Sequence, residues 1–402
     1  MARKLLRSRE GEDAHRVTFV ELFFDLVFVF AITQVSHALI AHQDLETLGE
    51  TAVIMMAIWW VWVFTTWLVN WLDPDTGPVR ALVFTLMLLG LLLASSIPEA
   101  FGDKALLFAV CLATMRVGQA LFGVVVFRGP RPDNSLNFVR IAIWATTTGA
   151  IWIVGALVPE HQLLIWAGAM LVELAGPRSR FRVPGLGGTP VEVWDISGQH
   201  MAERVSLFLI IVLGESIIVT GDVFADLPLE PTYVLAFLAA LASTILMWFL
   251  YFNHGQGGGS DYIAHRDAAD RGLVAQVAYT YTPVLLVLGV VLTAVADEIV
   301  LLHPEGDGGH GGSHGTALWA AGIVAGGSAV YLLGNLLFKR AVGQPWMLGH
   351  VGGIVALSVA VLLREQMTPL VFSWVANGVL LAVVLTDHHT HVRRSTEATV
   401  AP

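Results

Sequence analysis

The chain has 402 residues, 55% of them hydrophobic and only 13% charged, with a mean hydropathy of +0.70. Soluble domains carry about a quarter charged residues, so an ordinary soluble fold is excluded, and the net charge of −10 matters less than where the charges fall. A single cysteine, Cys111, excludes an internal disulfide and any Cys-based zinc site, and no basic, aromatic-interleaved helix points to nucleic acid.

Twelve apolar segments follow in chain order: 17–40, 49–71, 78–97, 104–127, 137–157, 160–175, 200–220, 231–253, 273–296, 316–338, 346–363 and 368–386. They predict an all-α polytopic integral membrane bundle of about twelve transmembrane helices, the sixth being the shortest. Residues 1–16 are a basic N-terminus (Arg3, Lys4, Arg7, Arg9, Arg16). No small-residue cleavage site follows, so the first span is read as retained. An even number of spans puts both termini on one side. Every Lys and Arg except Lys104, Arg116 and Arg364 then falls on that side. The positive-inside rule predicts a multi-pass membrane protein with both termini cytoplasmic.

The chain divides into a first six-helix half (17–175), a Pro- and Gly-containing cytoplasmic linker (176–199), a second half (200–386) and a cytoplasmic tail (387–402). Short likenesses six spans apart suggest two parallel repeats: "HRVTF" with "ERVSLF", "TTWLVNW" with "LMWFLYFN", and "GQALF" with "GNLLF".

Span 1 reads "VELFFDLVFVFAITQ". Glu21 and Asp25 are four apart and share a face with Thr18 and Ser36. Span 2 carries an aromatic stripe, Trp60, Phe64, Trp67 and Trp71, read as packing or lipid contact, with the last two at the interface. Span 4 carries Arg116 near its middle, with Gln119, Ala120 and Gly123 on the same face. Span 6 has Glu173 near its cytoplasmic end, where snorkelling is available. Span 7, "HMAERVSLFLIIVLGESIIVTGD", aligns Arg204, Phe208, Ile211 and Glu215.

A charge at the bilayer centre costs about 2.5–3.5 kcal/mol, so three left apart cost of order 8–10 kcal/mol. Asp25, Glu215 and Arg116 are therefore expected to face the interior and converge. One base between two acids leaves a surplus carboxylate to carry a proton.

Weaker signals complete the pass. Pro283 predicts a kink in span 9. Gly326–Gly327 and Gly352–Gly353 predict tight crossings or local unwinding. Asn70, Gln276 and Asn377 are read as helix–helix hydrogen-bonding residues, and His37 and His350 as interfacial hydrogen-bonding residues. The loop with His303, Glu305, Asp307, His310 and His314, and the tail with Asp387, His388, His389 and His391, are read as solvated rather than metal-binding. "HGQGGGSD" (254–261) lacks the lysine of a phosphate-binding loop.

"RVTFVELFFDLVFVFAITQ", "WWVW" and "HMAERVSLFLIIVLGESI" resemble the bacterial low-temperature-requirement A family over residues ~15 to ~390. The resemblance implies a multi-pass bacterial inner-membrane protein linked to growth at low temperature. It marks Glu21, Asp25, His200, Glu203, Arg204, Gly214 and Glu215, without assigning them roles. A fainter likeness, through Arg16, Phe24, Asp25, Phe28, Ala31 and Thr33, runs to potassium channels with a Phe-Ser-Asp motif; Phe24 here replaces the serine.

The resulting expectation is a secondary transporter of a small solute or ion, proton-coupled through Asp25 and Glu215. Glu21 and Arg116 belong to the same site, and His200, Glu203, Arg204, Gln119 and Glu173 support it. A cation (potassium-like) channel and a non-transporting scaffold or sensor are the alternatives. No enzymatic activity, cofactor, metal or nucleic-acid partner is expected. The lipid bilayer and an unidentified solute, ion or proton are the partners, with homo-oligomerisation left open.

Overall fold

The computed structural model describes residues 5–7, 16–194, 196–253, 268–306 and 315–400, with the backbone alone for 268–271 and 393–400. The glycine run 254–261, the loop residues Asp307, His310 and His314, and the terminal residues Arg3, Lys4 and Arg9 lie outside the described residues.

The helices are α1 (Phe19–Ala41), α2 (Leu45–Trp71), α3 (Gly77–Ser96), α4 (Ala105–Phe127), α5 (Pro132–Ala156), α6 (Gln162–Arg178), α7 (Gly198–Ala225), α8 (Pro231–Phe252), α9 (Ala268–Gln276), α10 (Pro283–Leu302), α11 (Leu318–Ala341), α12 (Leu348–Leu362) and α13 (Pro369–Val400). Among the described residues there is no strand beyond two isolated bridges. Among the described residues, ten helical spans are long and apolar enough to cross a membrane. The predicted sixth and eleventh spans are α6 with 17 residues and α12 with 15. At 1.5 Å per residue these reach roughly 25 and 22 Å, short of a ~30 Å hydrocarbon core. The molecule is a polytopic helical membrane bundle.

The ninth span is interrupted. α9 runs into a π-helical turn, Val277–Tyr281, and Pro283 opens α10 within its first turn. A proline costs little there, because the first-turn N–H groups have no intrahelical partner. The expected kink is therefore a break between two helices.

Two compact units divide the chain: Met1–Phe208 with Ile263–Tyr279, and Leu209–Tyr262 with Thr280–Pro402. The division falls inside α7, not in the 176–199 segment. In the first unit α1 packs on α2 and α3, α4 on α3 and α5, and α6 on α5 and α2. Its interior is aromatic: Trp59, Trp60, Trp62, Trp152 and Trp166 are fully buried. The span-2 stripe is packing, with Trp60 against Phe64 and Trp71 edge-on to Phe127 and Phe138. In the second unit α8 packs on α10 and α13, and α11 on α10, α12 and α13. A methyl added at Gly327 would lie 2.7 Å from the Thr293 hydroxyl, so this glycine serves a close α10–α11 crossing without unwinding.

The outer helix faces are apolar, with Leu88, Val125, Leu164, Ile218 and Leu362 exposed. Charged side chains such as Asp25, Arg116, Arg204 and Lys339 are buried. This inside-out distribution suits a lipid solvent. The N-terminus is tied in as well. Arg7 N donates to Trp71 O at 3.0 Å and Asp73 N to Leu5 O at 2.9 Å, strapping residues 5–7 across the end of α2.

The tail corrects the sequence reading. α13 continues to Val400, and Asp387 is buried against Lys339, with Nζ–Oδ2 at 2.6 Å. His388, His389 and His391 follow on the same helix.

Candidate functional site

The site begins with a helix cap. Thr18 is the N-cap of α1 and forms a capping box with Glu21: Thr18 Oγ1 accepts from Glu21 N at 3.4 Å, and Thr18 N donates to Glu21 Oε2 at 2.8 Å. Such a box satisfies helix N–H groups that have no intrahelical partner. It also fixes the Glu21 carboxylate at the mouth of the bundle, where Arg7 Nη2 reaches Oε2 at 2.8 Å. In the sequence Arg7 stands out only as one member of the basic N-terminus.

His200 Nε2 lies 2.8 Å from the other oxygen, Oε1. Its tautomer follows from Asn70. Ser197 N donates to Asn70 Oδ1 at 2.9 Å, which turns Asn70 Nδ2 toward Ser197 O and His200 Nδ1, at 3.1 and 3.0 Å. Nδ1 is then an acceptor, and Nε2 carries the proton and donates it to Glu21. His200 is a neutral bridge between α1 and α2.

One turn deeper, Asp25 is fully buried. Arg204 grips it with two bonds, Nη1 to Oδ2 and Nη2 to Oδ1, both 2.7 Å. Trp62 Nε1 donates to Oδ1 at 2.8 Å. Trp62 is held by stacking on Trp59 and by contact with Phe208, at centroid distances of 4.8 and 4.4 Å. Arg204 Nε also lies 4.0 Å from Glu21 Oε1. Two carboxylates thus face two guanidiniums, and the set is charge-balanced. Glu203, at the rim, accepts from the Val17 backbone N–H.

The pairings share one register: Glu21 with His200 and Asp25 with Arg204 are each 179 residues apart. The starts of α1 and α7 therefore lie side by side and run in the same direction.

This geometry corrects the expected triad. Arg116 does not reach Asp25. It pairs with Glu173 at 3.2 Å and lies 3.6 Å over the Phe64 ring. Glu173 does not snorkel: it is 7% exposed and also accepts from Thr148 Oγ1 at 2.9 Å. Gln119 donates to Thr65 Oγ1 at 2.6 Å. Glu215 is half-buried on the part of α7 that belongs to the second unit. The base beside Asp25 is Arg204, a residue the sequence placed only in support.

Residues 16–385 match the family described as "Bacterial low temperature requirement A protein (LtrA)". The chain belongs to this family. It is 37% identical over 392 residues to "Uncharacterized protein RA0937" of Rhizobium meliloti (strain 1021), covering 96% of this chain and 93% of that protein. No solved structure matches it.

The second unit of this LtrA chain holds polar groups that the sequence reading missed. Asp297 lies one residue beyond the predicted ninth span (273–296), but α10 continues to Leu302 and Asp297 is 4% exposed. Its hydrogen-bond partner is Ser243 Oγ, at 3.1 Å. Among the described residues no basic side chain pairs with it. Thr293, one turn earlier on the same face, has a buried hydroxyl without a partner. Elsewhere in the unit, His350 Nε2 lies 3.1 Å from Asn335 Oδ1, and its Nδ1 lies 3.6 Å from Asp387. Asn70 and Asn377 make the interhelical bonds expected of them, the latter to Ala239 O at 2.8 Å. Among the described residues no cluster of three or more metal-ligating side chains forms.

Proposed function

We propose that this LtrA-family chain is a proton-coupled secondary transporter of a small solute or ion in the bacterial inner membrane, with both termini cytoplasmic. The family link to growth at low temperature is consistent with a transport role. The distribution of Lys and Arg supports the orientation.

Asp297 is the observation that carries the reading. A buried carboxylate is expensive in the ionised form unless a cation or several donors compensate it. Asp297 has one hydroxyl donor and no counter-charge among the described residues. The neutral acid is the cheap form there. Such a group takes up and releases a proton when its surroundings change, which is what coupling requires.

Asp25 is in the opposite situation, gripped by Arg204 and Trp62. We therefore assign Asp25 and Glu21 to a fixed-charge clamp and move the coupling role to Asp297. Glu215, half-buried on α7, is the second candidate.

The test is proton uptake by the full chain in proteoliposomes under an imposed pH gradient, with a panel of small solutes. Solute-dependent uptake is expected for the wild type and is lost in Asp297→Asn at unchanged thermal stability. Equal uptake by wild type and variant overturns the assignment.

One observation favours a scaffold or sensor instead: both oxygens of Glu21 and of Asp25 are satisfied, and both residues are at most 1% exposed. On that reading neither protein moves solute in the same assay.

A further inference from the structure

The segment between α6 and α7 was expected to be a linker, but it is a built loop. Arg140, itself 5% exposed, donates to Leu186 O through Nε and Nη2, at 3.3 and 2.7 Å. Thr189 closes the loop, its N–H on Arg180 O at 2.9 Å and its hydroxyl on Asn137 Oδ1 at 2.8 Å. Trp144 Nε1 holds Arg182 O at 3.2 Å. Phe181 is buried edge-on to Phe64 and Trp144. Arg180 and Phe181 both adopt left-handed backbone, with φ of 57° and 47°. Non-glycine residues hold that conformation at a cost, and only where the surroundings over-determine it.

This backbone carries Arg178, Arg180 and Arg182 around one open cleft of about 850 Å³, with Glu192 and Leu273 also on its wall. Among the described residues none of the three guanidiniums is paired with a carboxylate. The carbonyl end of α6 contributes about half a negative charge. Among the described side chains, three guanidiniums against that and Glu192 leave the cleft positive.

The positive-inside rule alone would place arginines on this side. It does not require them on a strained, fastened loop around a common cavity. The cleft is within the size range of small-molecule sites, roughly 300–1,000 Å³. Guanidinium forks match phosphate oxygens in geometry as well as charge.

We propose that Arg178, Arg180 and Arg182 form a binding site for a phosphate-bearing anion, either an anionic lipid headgroup or a soluble phosphate. The site is separate from the carboxylate network and does not depend on the transport reading.

The test is native mass spectrometry with affinity titration of the full chain in detergent, using short-chain phosphatidylglycerol and inorganic pyrophosphate as probes and phosphatidylcholine as the zwitterionic reference. At least one anionic probe should bind more tightly than the reference, weaken with added salt, and lose about tenfold or more in affinity in Arg180→Gln/Arg182→Gln. Arg128→Gln/Arg340→Gln, which removes other exposed cations, should change it less than about twofold. Phosphatidylglycerol alone identifies a lipid headgroup site; pyrophosphate binding identifies a soluble phosphate site. The proposal is overturned if neither anion exceeds phosphatidylcholine, or if the control pair loses as much as the loop pair. Matching thermal midpoints of the variants establish that the fold is intact.

Discussion

The choice of partner for Asp25 turns on a single residue. Arg116 sits at mid-span in the sequence and reads as the buried base, whereas Arg204 reads only as a supporting residue near the start of span 7. Depth decides otherwise. Asp25 lies six residues after Phe19 and Arg204 six after Gly198, which puts both about 9 Å into their helices. Glu21 and His200 are matched in the same way, two residues in. That register was legible in the sequence as two pairs spaced by four, Glu21/Asp25 and His200/Arg204. The repeat alignment "HRVTF"/"ERVSLF" hid it by matching Arg204 to Arg16 instead. Because the pair is desolvated, removing one partner leaves a buried charge. Arg204→Met should cost about 3–5 kcal/mol, read as thermal or denaturant stability in detergent. Asp25→Asn/Arg204→Met should be far less destabilised than the sum of the single changes, since neighbours in one network are not additive. Strict additivity would show that the two residues do not interact.

Helix ends are where the sequence reading lost most. Hydropathy ends span 9 at residue 296, because Asp297 and Glu298 follow, yet α10 runs on to Leu302 with Asp297 packed beneath α8's Ser243. The final span shows the same error: α13 passes through Asp387, which Lys339 compensates. An apolar window stops at the first charge; it does not register that a distant helix supplies a partner. Lys339→Met should therefore lower stability by about 3–5 kcal/mol, and Lys339→Met/Asp387→Leu should recover much of the loss, because replacing a whole buried pair by apolar groups is often neutral. No recovery in the double variant would mean that the pair does more than cancel charge. The start of α1 gives a smaller test. Thr18→Ala removes the capping side chain and should cost about 1 kcal/mol, measurable as a lower denaturation midpoint.

At the scale of the molecule, the membrane-helical class and the family were readable from composition, the charge alternation and the long motifs. Which helices exchange side chains was not, because those contacts join segments far apart in the chain. Two features support the parallel-repeat reading. Gln119 and Asn335 occupy the same place in "GQALF" and "GNLLF", and both bond to the second helix of their half, at Thr65 and at Leu250 O. Each half also joins its fourth and sixth spans by a buried pair, Arg116–Glu173 and Lys339–Asp387. Orientation can be tested with the single cysteine removed as Cys111→Ala. Cysteines placed at Lys104 and Arg364 should react with a membrane-impermeant maleimide in intact cells. Those at Arg128 and Arg340 should react only after permeabilisation, and the reverse pattern would invert the topology.

The functional account turns on the protonation state of Asp297, and infrared spectroscopy of the full chain in lipid reads it directly. The wild type should show the carbonyl stretch of a neutral carboxylic acid near neutral pH, shifting in D₂O, absent from Asp297→Asn and retained in Asp25→Asn. A wild-type spectrum without that band, or a band that survives in Asp297→Asn, would contradict the account.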